Sequence, residues 1–252
     1  MHAIVHRGLL TLALAAGVAS VAPPARAADI GVSPVTINLD RANSRATVNV
    51  VNNGLGAVVM QAEVVEWKRL PGPLDDDAAT TDMIVNPAVF SLEPGQSQVV
   101  RVGLRKAAQA DREGTYRVVL REVPTPPQPG ETRVSGQVRV LMALRLPVYV
   151  APVNVVRDPR MHAVEQADGS IVASIRNEGN VHIRVGRLRV RPGNADPAAP
   201  ASSEQAVADV VFPGEMRQFK VAHAAIHPGL PLRLEVVTDQ GPFEVPVTLA
   251  RQ

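Results

Sequence analysis

The sequence contains no cysteine. That excludes a thiol nucleophile, a thiolate metal site and a disulfide framework, so an apolar core must hold the chain together. Aromatic residues are only 3% of its 252 positions, so that core must be built from aliphatic side chains. Lysine stands only at Lys68, Lys106 and Lys220. Positive charge is therefore carried by arginine, the better residue for gripping a carboxylate through paired hydrogen bonds. Motifs of hydrolytic and phosphoryl chemistry are missing too: there is no G-x-S-x-G, S-x-x-K or H-E-x-x-H, and no glycine-rich loop opening a helix. Nothing here reads as an enzyme, no catalytic residue is assigned, and no cofactor is expected.

What is present begins with a leader. His6 and Arg7 precede an apolar run from Leu9 to Val21, which is followed by Ala25-Arg26-Ala27. A charged start, an apolar middle and an A-x-A site read as a secretory signal peptide over residues 1–27, with the mature chain starting at Ala28. The run is too short to span a membrane, and no later stretch is long enough, so no membrane insertion is expected. The whole chain has 26 Lys+Arg against 24 Asp+Glu; losing Arg7 and Arg26 with the leader leaves 24 of each. A balanced charge gives no footprint for nucleic acid. The expected destination is the periplasm.

The remainder reads as β structure. Ala46-Thr47-Val48-Asn49-Val50-Val51 alternates and stops at Asn52-Asn53-Gly54. Val58 to Trp67, Gln98 to Leu104 and Thr115 to Val123 follow in the same manner, and Phe90-Ser91-Leu92 leads into Pro94-Gly95. Leu70 to Thr81 is polar and rich in Pro, Gly and Asp, so it reads as a loop. Ala107 to Glu113 reads as a polar connection with room for one helical turn. After Ala151-Pro152 the rhythm restarts with Ile171 to Arg176, Val181 to Val190, Val207 to Phe212, Gln218 to Val221, Leu232 to Thr238 and Phe243 to Leu249. Short alternating strands between Pro/Gly turns predict an all-β protein of two immunoglobulin-like β-sandwich domains in tandem, over 28–152 and 153–252.

Candidate metal ligands weigh little. His223 and His227 have the spacing of a helical pair, but Pro228-Gly229 follows at once. A surface loop is the reading for this pair. Asp75-Asp76-Asp77 lacks the Gly and Glu of a calcium loop and reads as solvated. Trp67 reads as core. No metal site is assigned.

One strand stands out. From Val134 to Val150, Val138, Val140, Met142 and Leu144 share one face, and Arg139, Leu141, Ala143 and Arg145 share the other. An ordinary last strand would bury its apolar face in its own domain. An edge strand could instead lend that row, with its open N–H and C=O groups, to a partner sheet.

Three stretches carry a resemblance: Leu92-Glu93-Pro94-Gly95 with Val99-Val100-Arg101-Val102, then Tyr116-Arg117-Val118-Val119-Leu120-Arg121-Glu122-Val123-Pro124, then Leu144-Arg145-Leu146-Pro147-Val148-Tyr149. Their order and spacing resemble the PapD-like periplasmic pilus chaperones, closest to the non-classical, archaic branch. Ile175-Arg176-Asn177-Glu178-Gly179-Asn180-Val181 is similar to a strand–turn–strand of that family's second domain. The resemblance implies a chaperone that completes pilin (fimbrial) subunits by donor-strand complementation and delivers them to an outer-membrane usher. It implies that Val134, Val138, Val140, Met142 and Leu144 of the G1 strand (about 134–150) serve the subunit groove. It implies two basic residues anchoring the subunit's terminal carboxylate, which fixes the register. Arg145 matches the G1 anchor. The first-strand anchor position holds Thr36, so Arg117 is the expected second member and Arg121 the reserve. A chaperone with an exposed sticky strand is also expected to cap itself as a homodimer. The rival reading is a structural immunoglobulin-like module of a secreted or periplasmic surface complex, with the long strand fully covered.

Overall fold

A computed structural model describes residues 29–69, 75–106, 110–124, 140–194, 200–222 and 231–249. All regular structure within them is strand. The first sandwich consists of β1 (Ile30–Ser33), β2 (Ile37–Leu39), β3 (Arg45–Asn52), β4 (Val58–Arg69), β5 (Asp75–Ala79), β6 (Met83–Asn86), β7 (Val89–Leu92), β8 (Ser97–Leu104), β9 (Gly114–Glu122) and β10 (Ala143–Val150). One sheet runs β1-β3-β8-β6; the other runs β2-β10-β9-β4-β5, with β7 also on β4. Period-two alternation sends Val48 and Val50 of β3 and Val100 and Val102 of β8 inward, where they meet Met60, Val118, Leu120 and Val148 of the other sheet.

The second sandwich has its own core around Ile171, Ile175, Val185, Leu188, Leu234 and Val236. Its strands are β11 (Pro159–Glu165), β12 (Ile171–Asn177), β13 (Ile183–Pro192), β14 (Ser203–Val211), β15 (Met216–Val221), β16 (Leu232–Thr238) and β17 (Gly241–Leu249). They connect in the order β14-β13-β16-β17-β11-β12-β15. β17 pairs antiparallel with β16 up to Pro246, then parallel with β11 from Val247, so it joins the two layers.

Each sandwich carries the same polar latch. In the first, the buried Asn52 Nδ2 donates to the Gly56 and Leu92 carbonyls at 2.8 and 3.0 Å, and its Oδ1 accepts from Gly54 N at 3.0 Å. In the second, Asn177 Nδ2 donates to Val181 and Val211 carbonyls at 2.8 and 3.0 Å, and Oδ1 accepts from Gly179 N at 3.0 Å. Each latch also grips a Pro-Gly turn: Gly95 N donates to the Asn52 carbonyl and Gly214 N to the Asn177 carbonyl. Both glycines have φ of 76°, where a side chain would be strained.

Sequence expectations change at β5 and at the start of β10. The loop expected over Leu70 to Thr81 contains strand β5, which pairs antiparallel with β4 from Asp75↔Arg69 to Ala79↔Val65. The polar connection expected over Ala107 to Glu113 shows no helix at its described residues, 110–113. The long strand expected from Val134 begins, among the described residues, at Ala143; residues 134–139, and so Val134 and Val138, lie outside the described part. Its neighbour β9 ends at Glu122 and Pro124 follows, so residues 140–142 meet no continuous ladder. One backbone bond persists, from Glu122 N to the Met142 carbonyl at 2.9 Å, and Met142 N donates to the Glu122 carboxylate at 3.4 Å. Val140 is consequently 76% exposed. Farther along, Leu144, Leu146, Val148 and Val150 turn toward the first core, and Arg145 takes the opposite face. Pro147 does not end the strand: β10 pairs antiparallel with β9 and parallel with β2 through Val150.

Candidate functional site: an arginine row beside the cleft between the sandwiches

The outer face of the sheet β2-β10-β9-β4-β5 gathers the charged residues. Arg117 on β9 is in register with Val65 on β4 and Pro147 on β10. Trp67 on β4 is opposite Asp77 on β5. Residues of equal parity share this face, so Arg117, Arg145, Arg69, Trp67, Asp75 and Asp77 converge. The Arg117 guanidinium carbon lies 3.8 Å from the centre of the Trp67 ring, a close cation–π contact. Arg117 Nη2 donates to Asp75 Oδ2 at 2.5 Å and Nη1 to Asp77 Oδ1 at 3.0 Å. The other oxygen of Asp77 accepts from Arg145 Nε at 3.1 Å. A single carboxylate thus spans the two arginines. They differ in access: the Arg117 side chain is 13% exposed and the Arg145 side chain 49%.

Arg69 extends the row toward the second sandwich. It reaches Asp75 at 3.5 Å, Glu215 at 3.3 Å and Asp209 at 3.6 Å, and donates to the Val210 carbonyl at 3.0 Å. Its guanidinium lies over the Phe212 ring at 4.9 Å. Phe212 in turn meets Trp67 edge-on, with ring centres 4.7 Å apart. Burial by itself would raise the Asp75 carboxyl; the bond from Arg117, the nearby Trp67 and the charges of Arg117 and Arg69 overcome this and hold it below its ordinary value. The buried Trp67 Nε1 has no hydrogen-bond partner among the described residues, so it lends Asp75 a nearby dipole and not a formed bond.

Arg121 is not brought into this group. It pairs with Glu63 on β4. Thr36, half-buried, directly precedes the register pair Ile37↔Val148 and adds no charge beside β10.

Residues 29–156 match the family model described as pili and flagellar-assembly chaperone, PapD N-terminal domain. The chain belongs to this chaperone family. No curated protein sequence matches it. The fold of these chaperones continues beyond the matched segment. A chain of the CsuC–CsuE chaperone–tip adhesion subunit pre-assembly complex, from the archaic chaperone-usher Csu pili of Acinetobacter baumannii, superposes with a TM-score of 0.59 at 14% identity, over 88% of this chain and 100% of that one. The E. coli chaperone DraB gives 0.55 at 16%, over 88% and 97%. A chain of the Salmonella enterica SafA pilin–SafB chaperone complex gives 0.55 at 18%, over 86% and 96%. At such identities the likeness is one of fold: two immunoglobulin-like sandwiches.

In this chaperone the two sandwiches meet beside the arginine row. The cleft between them has a volume of about 930 Å³, with Trp67, Arg69 and Arg112 on one wall and Phe212, Pro213 and Arg217 on the other. Arg112 Nη2 donates to the Pro213 carbonyl at 2.7 Å. His182 lies at the junction of the two sandwiches. Its ring stacks on Tyr149 at 3.7 Å and faces both oxygens of the buried Glu113 at 2.9 Å. Asn180 ties the linker to both sides, donating from Nδ2 to the Asp111 and Asn154 carbonyls at 2.7 Å each.

Sequence reasoning singled out Arg117 and Arg145, and they meet at one carboxylate. It missed Arg69, and it read Asp75 and Asp77 as solvated. The available signal was the i, i+2 spacing of the two aspartates, which places both on one strand face while Asp76 takes the other.

Proposed function

We propose that this chain is a periplasmic pilus chaperone that binds pilin subunits by strand addition. The segment leading into β10 lends its apolar row, Val134, Val138, Val140, Met142 and Leu144, to a groove in the subunit, and the outer-membrane usher receives the loaded subunit. Arg145 and Arg117 anchor the subunit's terminal carboxylate; Arg121, engaged by Glu63, stands aside. The observation that carries the reading is the spanning of Arg117 and Arg145 by a single carboxylate, at the foot of an exposed apolar segment. A negatively charged terminus bound there would set which residues of the row enter the groove. The proposal includes a leader over residues 1–27, a mature start at Ala28, domains over 28–152 and 153–252, and self-capping of the free chaperone as a homodimer. No catalysis is part of it.

The test is periplasmic co-expression with small β-rich subunits. Wild type should retain a subunit through purification, and the Arg117→Ala, Arg145→Ala double variant should lose it. Val140→Asp should also abolish capture. Being 76% exposed, Val140 can take the charge with little effect on the fold, within about 0.5 kcal/mol. Unfolding of that variant would instead make Val140 a core residue and favour a structural module. Sedimentation showing monomers at every concentration would remove the self-capping element.

A further inference from the structure

The anchor just described is already occupied. Arg145, Asp77, Arg117, Asp75 and Arg69 form an unbroken alternation of charge across β10, β5, β9 and β4. Both acids come from β5, five residues at the outer edge of the sheet, paired on one side to β4 alone. Their carboxylates make the bonds that a chain terminus would make: one spans Arg117 and Arg145, and the other lies on Arg117 at 2.5 Å.

We propose that Asp75 and Asp77 are internal stand-ins for the subunit's terminal carboxylate, and that anchoring a subunit is an exchange in which β5 gives up Arg117 and Arg145. This rests on the pilin-binding reading above. The physical case is direct. Two guanidiniums held close together, that of Arg117 largely covered, need counter-charge when no subunit is present, and a covalently attached carboxylate supplies it at high local concentration. A newcomer of the same charge and the same two-oxygen geometry must then compete for the same donors. β5 can yield because it is short, sits at an edge and has a second cation for one of its acids: Asp75 also reaches Arg69. A further observation points to an outside ligand. The buried Trp67 Nε1–H, adjacent to Asp75, makes no hydrogen bond of full geometry among the described residues. A carboxylate that displaces Asp75 would meet this donor as well as the arginines.

Asp75→Asn with Asp77→Asn keeps the size and the backbone pairing of β5 while removing both charges. The probe is a subunit that copurifies with wild type, used with its native C-terminus and with a glycine-serine extension that moves the carboxylate away. The double variant should bind the native subunit about tenfold more tightly, a gain of about 1.4 kcal/mol, and the extended subunit no differently. Asp76→Asn, on the opposite face, should change neither. Unchanged or weaker binding of the native subunit would overturn the proposal, weaker binding meaning that the aspartates orient the arginines. Equal tightening for both subunits would overturn it as well, since the effect would not concern the terminus. Should the double variant fail to fold, Asp77→Asn alone carries the test, with a gain for the native subunit expected. If wild type and variants capture no subunit, the pilin-binding reading itself fails and takes this proposal with it.

Discussion

The two asparagine latches share one hydrogen-bond pattern and are put to different uses. Asn52 and Asn177 make the same three side-chain hydrogen bonds, and each is followed by a residue and a glycine that close the same turn. The turns they grip also correspond: Glu93-Pro94-Gly95-Gln96 in the first sandwich and Phe212-Pro213-Gly214-Glu215 in the second, each closed by a 3.0 Å bond from its last residue to its first. Their surroundings diverge. Residues 93–96 are exposed, whereas Phe212 and Glu215 are partly covered by the other sandwich. Where the first turn has Glu93, the second has Phe212 against Trp67 and beneath Arg69. A turn that closes one immunoglobulin-like unit has become, in its sibling, the wall of the cleft. The fold supplies the turn; the residue at its first position decides whether it faces water or a neighbour.

The strongest way to test the equivalence is to remove both latches. Asn52→Ala and Asn177→Ala each delete three side-chain hydrogen bonds, stranding the buried Leu92 carbonyl in the first sandwich and the Val181 and Val211 carbonyls in the second, so each should cost about 2–3 kcal/mol. Urea midpoints measured on the two variants should fall by similar amounts, and a large inequality would break the comparison. The contrast between the turns comes next. Phe212→Glu copies the first turn into the second and removes an edge-on aromatic contact and a cation–π contact, together about 1–2 kcal/mol. Small-angle scattering should then report a looser pair of sandwiches. The reciprocal Glu93→Phe, on an exposed turn, should leave scattering and stability within about 0.5 kcal/mol of wild type. The smallest effect concerns pH. The latches are neutral amides and should not titrate, but Asp75 is held below its ordinary value of 3.8 in the folded chain. A depressed carboxyl adds stability above its unfolded value, and that stability is lost as pH falls below about 3.8 toward the folded value. Asp75→Asn should therefore flatten the acid limb of the stability curve, and Asn52→Ala should shift it down without changing its slope.

Much of this organisation was legible because it is local. The alternation of Val48 and Val50, the Asn-Asn-Gly stop and the Leu92-Glu93-Pro94-Gly95 turn each write their conformation within a few residues. Arg117 and Arg145 were singled out by their place in a resemblance. The acids that bind them were not, for two reasons. Aspartate has poor strand propensity, so three in succession argue against the strand that β5 forms, and pairing with β4 overrides that preference. Arg117 lies 40 and 42 positions from Asp77 and Asp75, and Arg145 lies 68 from Asp77, so no local pattern links them. His182 received no role for the same reason, since its partners Glu113 and Tyr149 belong to the other sandwich. Met83–Asn86 and Pro159–Glu165 were passed over as strands, being short or interrupted by charge.

Trp67 is the sequence's sole tryptophan, and it lies between the Arg117 cation and the Phe212 ring. Indole emission responds to nearby charge and to the polarity around the ring N–H. The chain thus contains its own optical gauge at the point where the arginine row meets the second sandwich. Excited selectively over Tyr116 and Tyr149, this one residue should report a rearrangement of charge on β5, or a parting of the cleft, as a change in its fluorescence, with no dye attached.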